Sequence, residues 1–336
     1  MAKAPDRRFA VIGAGSFGTS LALVLARNGL PTVLWGRNAT DMARLHRERV
    51  NQRFLPDSYF PDSLAVTACL SEALDESSHV LVAVPSHAFT ETLNNLFKQG
   101  LAGKRLVWAT KGFEPGTARL LHEVVAEVLG SGYLGAVLSG PTFAVEVAAG
   151  LPTAVTVGCR DEIFAAEIAQ CFHNQHFRVY TSTDVVGVQV GGGVKNVLAL
   201  AAGIADGLGF GANSRAALIT RGLAELIRLG VALGARPETF MGLAGIGDLV
   251  LTCTDNKSRN RRAGLLLGEG LSVAEAQAQI GQVVEGVSSA REVVRLATRL
   301  RVEMPIAEQV EKVLHAGLSP SDAVRTLLGR SAGPES

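Results

Sequence analysis

The run FAVIGAGSFGTSLALVLARNG, residues 9–29, constrains this chain more than any other stretch. A short apolar run with strand character leads into Gly13, Gly15 and Gly18, and leucine, valine and alanine at helical spacing follow. Three glycines between a strand and a helix carry an entropic cost that something must offset: a tight turn, close approach of another group, or close helix packing. Gly13 fits the turn, Gly15 the approach of a ligand to the backbone, and Gly18 the packing of the helix. The unpaired N–H groups at such a helix start favour a phosphate, so the stretch reads as a dinucleotide fingerprint.

The next strand, within TVLWGRN, ends at Arg37, about twenty residues beyond the glycines, where an acid would select the unphosphorylated ribose of NAD. A guanidinium there suits a 2′-phosphate, so NADP is favoured and NAD admitted. Strand-like runs at 9–12, 32–35, 65–69, 80–84, 106–110, 136–139, 154–157 and 177–180 alternate with helical patterns as far as about residue 185. This is the sequence form of βαβ units and a parallel sheet. Helical periodicity then takes over, at 194–205, 214–233, 259–267, 273–280, 288–300, 305–315 and 320–327. The expected fold class is α/β: a Rossmann-type dinucleotide-binding domain over residues 1–187 and an all-helical substrate and catalytic domain over 188–336. The tail 329–336 is expected to fray.

Composition narrows the partners. Lys and Arg total 32 against 31 Asp and Glu, with three Tyr and two Trp, so a charged, stacking nucleic-acid surface is not expected. The cysteines, Cys69, Cys159, Cys171 and Cys253, form no CxxC pair and read as reduced thiols of a cytoplasmic protein. The basic N-terminal residues precede an apolar run that Gly13 cuts short, unlike a signal peptide. The apolar window around residue 195 holds a lysine, a glutamine and a triple glycine, so no membrane span is expected there. Cys171, His173 and His176 lack a fourth ligand at useful spacing, and no metal site is assigned.

Lys195, in VGGGVKNVLALAAG, is the only charged residue between Val185 and Ala205. A helix starting after residues 191–193 would carry its ammonium toward the ligand, and apolar surroundings push a lysine pKa down toward that of a general acid or base. Asp248, isolated in what reads as a glycine-rich apolar turn, GLAGIGDLVL, needs a cationic partner, and Lys195 is the candidate. Lys257, Arg259, Arg261 and Arg262, with Ser258 and Asn260 among them, crowd a helix start and suit a phosphate. Lys111 follows a strand, and Gly140 and Thr142 follow the next, at the carboxyl edge where open parallel sheets hold ligands.

Taken in order, GAGSFGTSLA, VPSHAF, KGFEPGT, SGPTFAVEVAAGLPTAV, GGGVKNVLALAAGIADGLGFGANSRAALITRG, GLAGIGDLVLTCTDNKSRNRRAG and VVEGVSSA resemble the bacterial NAD(P)-dependent glycerol-3-phosphate dehydrogenases over residues 11 to about 290. The resemblance implies interconversion of dihydroxyacetone phosphate and sn-glycerol 3-phosphate for glycerophospholipid synthesis, by a cytoplasmic enzyme that is commonly a homodimer. It assigns Ser16, Phe17, Arg37, Ala144, Val283 and Glu285 to the dinucleotide, and Lys111, Gly140, Thr142, Asp248, Ser258, Arg259 and Asn260 to the substrate. Lys111 and Arg259 also lie near the cofactor in the family, and Lys195 matches its proton acceptor. Two rival readings are a related β-hydroxyacid or phospho-sugar dehydrogenase and a non-catalytic NADP-sensing protein.

Overall fold

A computed structural model describes residues 7–329, so the tail expected to fray lies, after Gly329, outside the described residues. Its strands are β1 (Phe9–Ile12), β2 (Thr32–Trp35), β3 (Val50–Asn51), β4 (Leu55–Tyr59), β5 (Leu64–Thr67), β6 (His79–Val82), β7 (Arg105–Trp108), β8 (Gly135–Ser139), β9 (Thr153–Gly158) and β10 (Phe177–Ser182). Eight of them form one sheet in the order β10-β9-β8-β7-β6-β1-β2-β5. From β1 the chain works outward through β2 and β5, then returns to the other flank of β1 with β6. The strand order therefore reverses at β1, and the glycine loop leaves the carboxyl end of that strand, where such sheets bind ligands.

β1 is buried at every position, as are Val80, Leu81 and Val82 of β6, because both faces are covered. The helix Ser16–Arg27 is buried from Gly18 to Ala26 and packs directly on the sheet. Each large aliphatic side chain buried there contributes about 1.5–3 kcal/mol.

The sheet departs from the parallel expectation in one place: β8 and β9 are antiparallel, with Leu138 opposite Val157. Their connection holds only the six-residue helix Ala144–Ala149. It does not cross the sheet to the start of β8, as a parallel return would require. The short antiparallel pair β3–β4 was not anticipated at all, since LPDSY contains a proline and two turn formers.

After residue 185 the described chain is helical. The expectation that a helix begins after the triple glycine is wrong: one helix runs Val185–Gly207 straight through residues 191–193. Asp184 starts it, its Oδ1 accepting from the Gly187 N–H at 2.8 Å. Three glycines of this helix serve packing: a Cβ on Gly191 would collide with the Ala244 carbonyl, and one on Gly203 or Gly207 with the carbonyls of Arg261 or Leu265. Gly264 and Gly268 of the helix Arg259–Gly268 return the relation against Leu200 and Ile204, so these two helices meet backbone to backbone. Val185–Gly207 is the only helix among the described residues long and apolar enough to cross a membrane, and almost all of it is buried within the protein.

The chain divides into two compact units, one running to Glu114 and resuming over Arg119–Gln189, the other comprising Pro115–Ala118 and the chain from Val190.

Candidate active site

In the sheet unit the three glycines of the loop have three different reasons to be glycine. Gly13 sits at φ 119°, where a side chain is strained, and its Cβ would lie 2.6 Å from the Ala83 carbonyl oxygen. A Cβ on Gly18 would collide with the carbonyl of Gly13, whereas one on Gly15 would meet nothing within 4 Å. The space in front of Gly15, at the N-cap of the twelve-residue helix Ser16–Arg27, is open. That opening suits a pyrophosphate, which needs backbone N–H groups and no intervening side chain.

Lys111, just past β7, donates through Nζ to the Gly140 carbonyl at 3.1 Å and lies 5.7 Å from the centroid of the Phe17 ring. Thr142 Oγ1 donates to the same carbonyl at 3.1 Å. Gly140, at φ 151°, lets the chain turn against β9, where a Cβ would stand 3.0 Å from the Val155 Cα. Four residues from three separate sequence segments therefore meet beside the glycine loop. Ala144 opens a helix that packs on Ser16–Arg27, and Arg37 is exposed past the carboxyl end of β2.

In the helical unit Lys195 and Asp248 form a buried ion pair, 6% and 1% exposed. The Lys195 ammonium also donates to Thr252 Oγ1 at 3.1 Å, and that hydroxyl donates to the Asp248 carbonyl at 2.5 Å. A buried ammonium without such partners would cost several kcal/mol. Asp248 is not in a turn, as its glycine-rich surroundings suggest, but opens the helix Asp248–Thr254. It follows a π-helical turn, Leu243–Gly247, in which Gly245 leaves helical geometry at φ −104°, ψ −106°. Thr252 stands one turn after Asp248 on the same face, a spacing that makes it readable from the sequence once Asp248 is known to be helical.

Ser258 caps the helix Arg259–Gly268, its Oγ accepting from the Arg261 N–H at 3.2 Å. Arg259 Nη1 approaches Gln282 Oε1 at 3.4 Å, next to exposed Val283 and to Glu285, which opens the helix Glu285–Leu300. Asn260 is buried, its Nδ2 donating to Asn196 Oδ1 at 2.9 Å and its Oδ1 accepting from the Gly286 N–H at 2.8 Å. Asn196 in turn reaches Glu285 at 3.5 Å, so it tethers two of the expected site residues, a role not foreseen from sequence.

The basic cluster is narrower than its sequence suggests. Arg261 is buried, pairs with Asp206 and donates to the Cys253 carbonyl at 3.1 Å, so it serves the fold rather than an anion. Lys257 pairs with Asp255 at 3.3 Å on the surface. Nearby Cys253 is sealed away, and burial pushes its thiol up to about 12, far from a reactive thiolate.

Known proteins match both units. The family model for the NAD-dependent glycerol-3-phosphate dehydrogenase N-terminus covers residues 8–165, and that for the C-terminus covers 184–325. The chain belongs to the NAD-dependent glycerol-3-phosphate dehydrogenase family. It is 57% identical over 327 residues to a glycerol-3-phosphate dehydrogenase [NAD(P)+] of Photorhabdus laumondii, covering 97% of this chain and 96% of that one. A relative of the same name from Bartonella henselae is 55% identical over 97% of this chain and 96% of its own. Among solved structures, the crystal structure of a glycerol-3-phosphate dehydrogenase from Coxiella burnetii superimposes with a TM-score of 0.94 at 48% identity, over 97% of this chain and all of that one.

Proposed function

We propose that this chain is an oxidoreductase that interconverts dihydroxyacetone phosphate and sn-glycerol 3-phosphate with NADPH or NADH. The observation that carries this reading is the buried Lys195–Asp248 pair with Thr252, a proton-handling group held in a protein whose other unit offers a dinucleotide loop. Residues 1–187 act as the nucleotide-binding domain and 188–336 as the substrate and catalytic domain.

Gly13, Gly15, Ser16, Phe17 and Gly18 form the loop that would take the pyrophosphate side of the dinucleotide, with Gly13 and Gly18 shaping it, and Arg37 would hold its adenosine end, where a 2′-phosphate would meet the guanidinium. Ala144, Val283, Glu285, Lys111 and Arg259 complete its contacts. When bound, the nicotinamide supplies a hydride to the ketone carbon. Lys195, as an ammonium beside Asp248, polarises the carbonyl and donates a proton to its oxygen; in the reverse direction the neutral amine takes the hydroxyl proton. Asp248 fixes the direction of the amine, and Thr252 takes one of its three hydrogens and so restricts its rotation. Ser258, Arg259 and Asn260, with Lys111, Gly140 and Thr142, hold the phosphate and hydroxyls of the substrate, whose remote phosphate orients the ketone.

The product is the backbone of glycerophospholipids, made by a cytoplasmic homodimer. The deciding assay is oxidation of NADPH and NADH, in parallel, with dihydroxyacetone phosphate. Turnover is expected with it and not with dihydroxyacetone. Activity toward a 2-keto acid instead would favour the β-hydroxyacid reading, and binding of NADPH without turnover the sensor reading. Light scattering on the eluted protein tests the dimer.

A further inference from the structure

The hairpin β3–β4, absent from the sequence-based expectation, brings one polar residue to the glycine loop. Asn51, the last residue of β3, is 3% exposed. Its Nδ2 donates to the Ala14 carbonyl at 3.1 Å and to Thr19 Oγ1 at 2.9 Å. An amide nitrogen has two hydrogens, and both are spent on the loop and the first turn of its helix. Thr19 is fully buried and its N–H already donates to the Gly15 carbonyl at 3.0 Å, so this anchor on the helix is itself fixed.

The bond to Ala14 has a geometric consequence. A trans peptide is planar, and its C=O and N–H point in opposite directions. Holding the Ala14 carbonyl toward Asn51 therefore turns the N–H of Gly15 the other way, and no side chain of Gly15 stands beside it. Glycine makes this loop free to rotate, and a residue from outside it sets the rotation.

We propose that Asn51 is a positioning residue for the dinucleotide, which orients the Ala14–Gly15 peptide so that its N–H meets the pyrophosphate. The proposal rests on the reading of residues 13–18 as the dinucleotide loop. It gives the hairpin a purpose in the reaction without any contact between Asn51 and the reacting atoms.

Asn51→Leu keeps the side-chain size and removes both donors. Fluorescence titration with NADPH is expected to give a Kd raised about tenfold or more, the value of one hydrogen bond to a charged group. The kcat at saturating NADPH and the KM for dihydroxyacetone phosphate stay within twofold. The inhibition constant of 2′-AMP, which has no pyrophosphate, is also unchanged. Thr19→Val, which removes one of the two acceptors, gives a smaller rise in the same Kd and supplies the measurement if Asn51→Leu does not fold. An NADPH Kd within twofold of the parent in both variants overturns the proposal, as does an equal loss of 2′-AMP and NADPH, which would mean general loosening of the unit.

Gly15→Val separates the role of Asn51 from that of the loop, because a Cβ at Gly15 meets nothing within 4 Å in the protein and the added side chain is expected to obstruct the ligand rather than the fold. If Gly15→Val binds NADPH normally, the loop has been misread. If it loses NADPH while Asn51→Leu keeps it, only the role of Asn51 fails.

Discussion

The two units build their candidate functional residues from different materials. In the sheet unit the candidate site is made of glycines and backbone groups at strand ends, and Lys111 and Thr142 both bond to the single Gly140 carbonyl. In the helical unit the candidate groups are buried side chains that hold one another: Lys195 with Asp248 and Thr252, Asn260 with Asn196. The first kind of site is vulnerable to added atoms. The second is vulnerable to removed ones, because each deletion strands a partner away from water.

Substitution at Lys195 gives the largest test of that contrast. Lys195→Met should lower kcat by about 10²- to 10⁴-fold, the range for a lost general acid, and leave the Kd of NADPH within twofold. Turnover within threefold of the parent would remove Lys195 from the chemistry. Asp248→Ala tests stability instead: with the buried Lys195 ammonium deprived of this carboxylate, thermal unfolding should show a loss of about 3–5 kcal/mol. The double variant with Lys195→Met should recover much of that loss, and a double variant as unstable as Asp248→Ala would mean the pair does not hold the unit together.

Glu225 extends the same logic to pH. It is almost fully buried, and burial pushes its carboxyl up to about 7 although the N–H groups of Ile306 and Ala307 donate to it at 2.7 and 3.3 Å. A carboxyl whose folded pKa lies above its unfolded value favours folding when protonated. That stabilisation is complete below about pH 4.5 and is lost as pH rises through about 7. Unfolding free energy should therefore fall by a few kcal/mol across this window, and Glu225→Gln should flatten the slope. An unchanged slope would show that other groups set it.

The smallest effect belongs to the exposed end of the sheet unit. Arg37→Asp should raise the KM for NADPH by about tenfold, the value of one charge-assisted contact, and change that for NADH much less. Equal changes for the two cofactors would take Arg37 out of the choice between them.

Much of this was legible in the sequence, for identifiable reasons. β1 appears at its expected ends because a parallel strand covered on both faces is an uninterrupted apolar run, here bounded by Arg8 and Gly13. The pairing of Lys195 with Asp248 was legible because each is a lone charge in an apolar stretch. Packing decided what sequence alone misread. The triple glycine resembles a break, but backbone pressed against Gly191 makes glycine the residue that lets a helix pass. Arg261 looks like its neighbours in KSRNRR until the turn of the helix aims it at Asp206. Asn51 carries no signal at all, since nothing local distinguishes an asparagine that reaches a loop thirty-seven residues away.

Where the helix bearing Lys195 meets the helix bearing Arg259, peptide lies on peptide, with Gly203, Gly207, Gly264 and Gly268 leaving no side chain in between. A seam of that sort has no rotamers to hop and no methyl groups to rearrange, so warming cannot widen it by small degrees. The spacing between the helix that carries Lys195 and the helix that starts at Arg259 is thereby set by backbone contact rather than by side-chain packing, and it should stay constant up to the temperature at which these helices come apart.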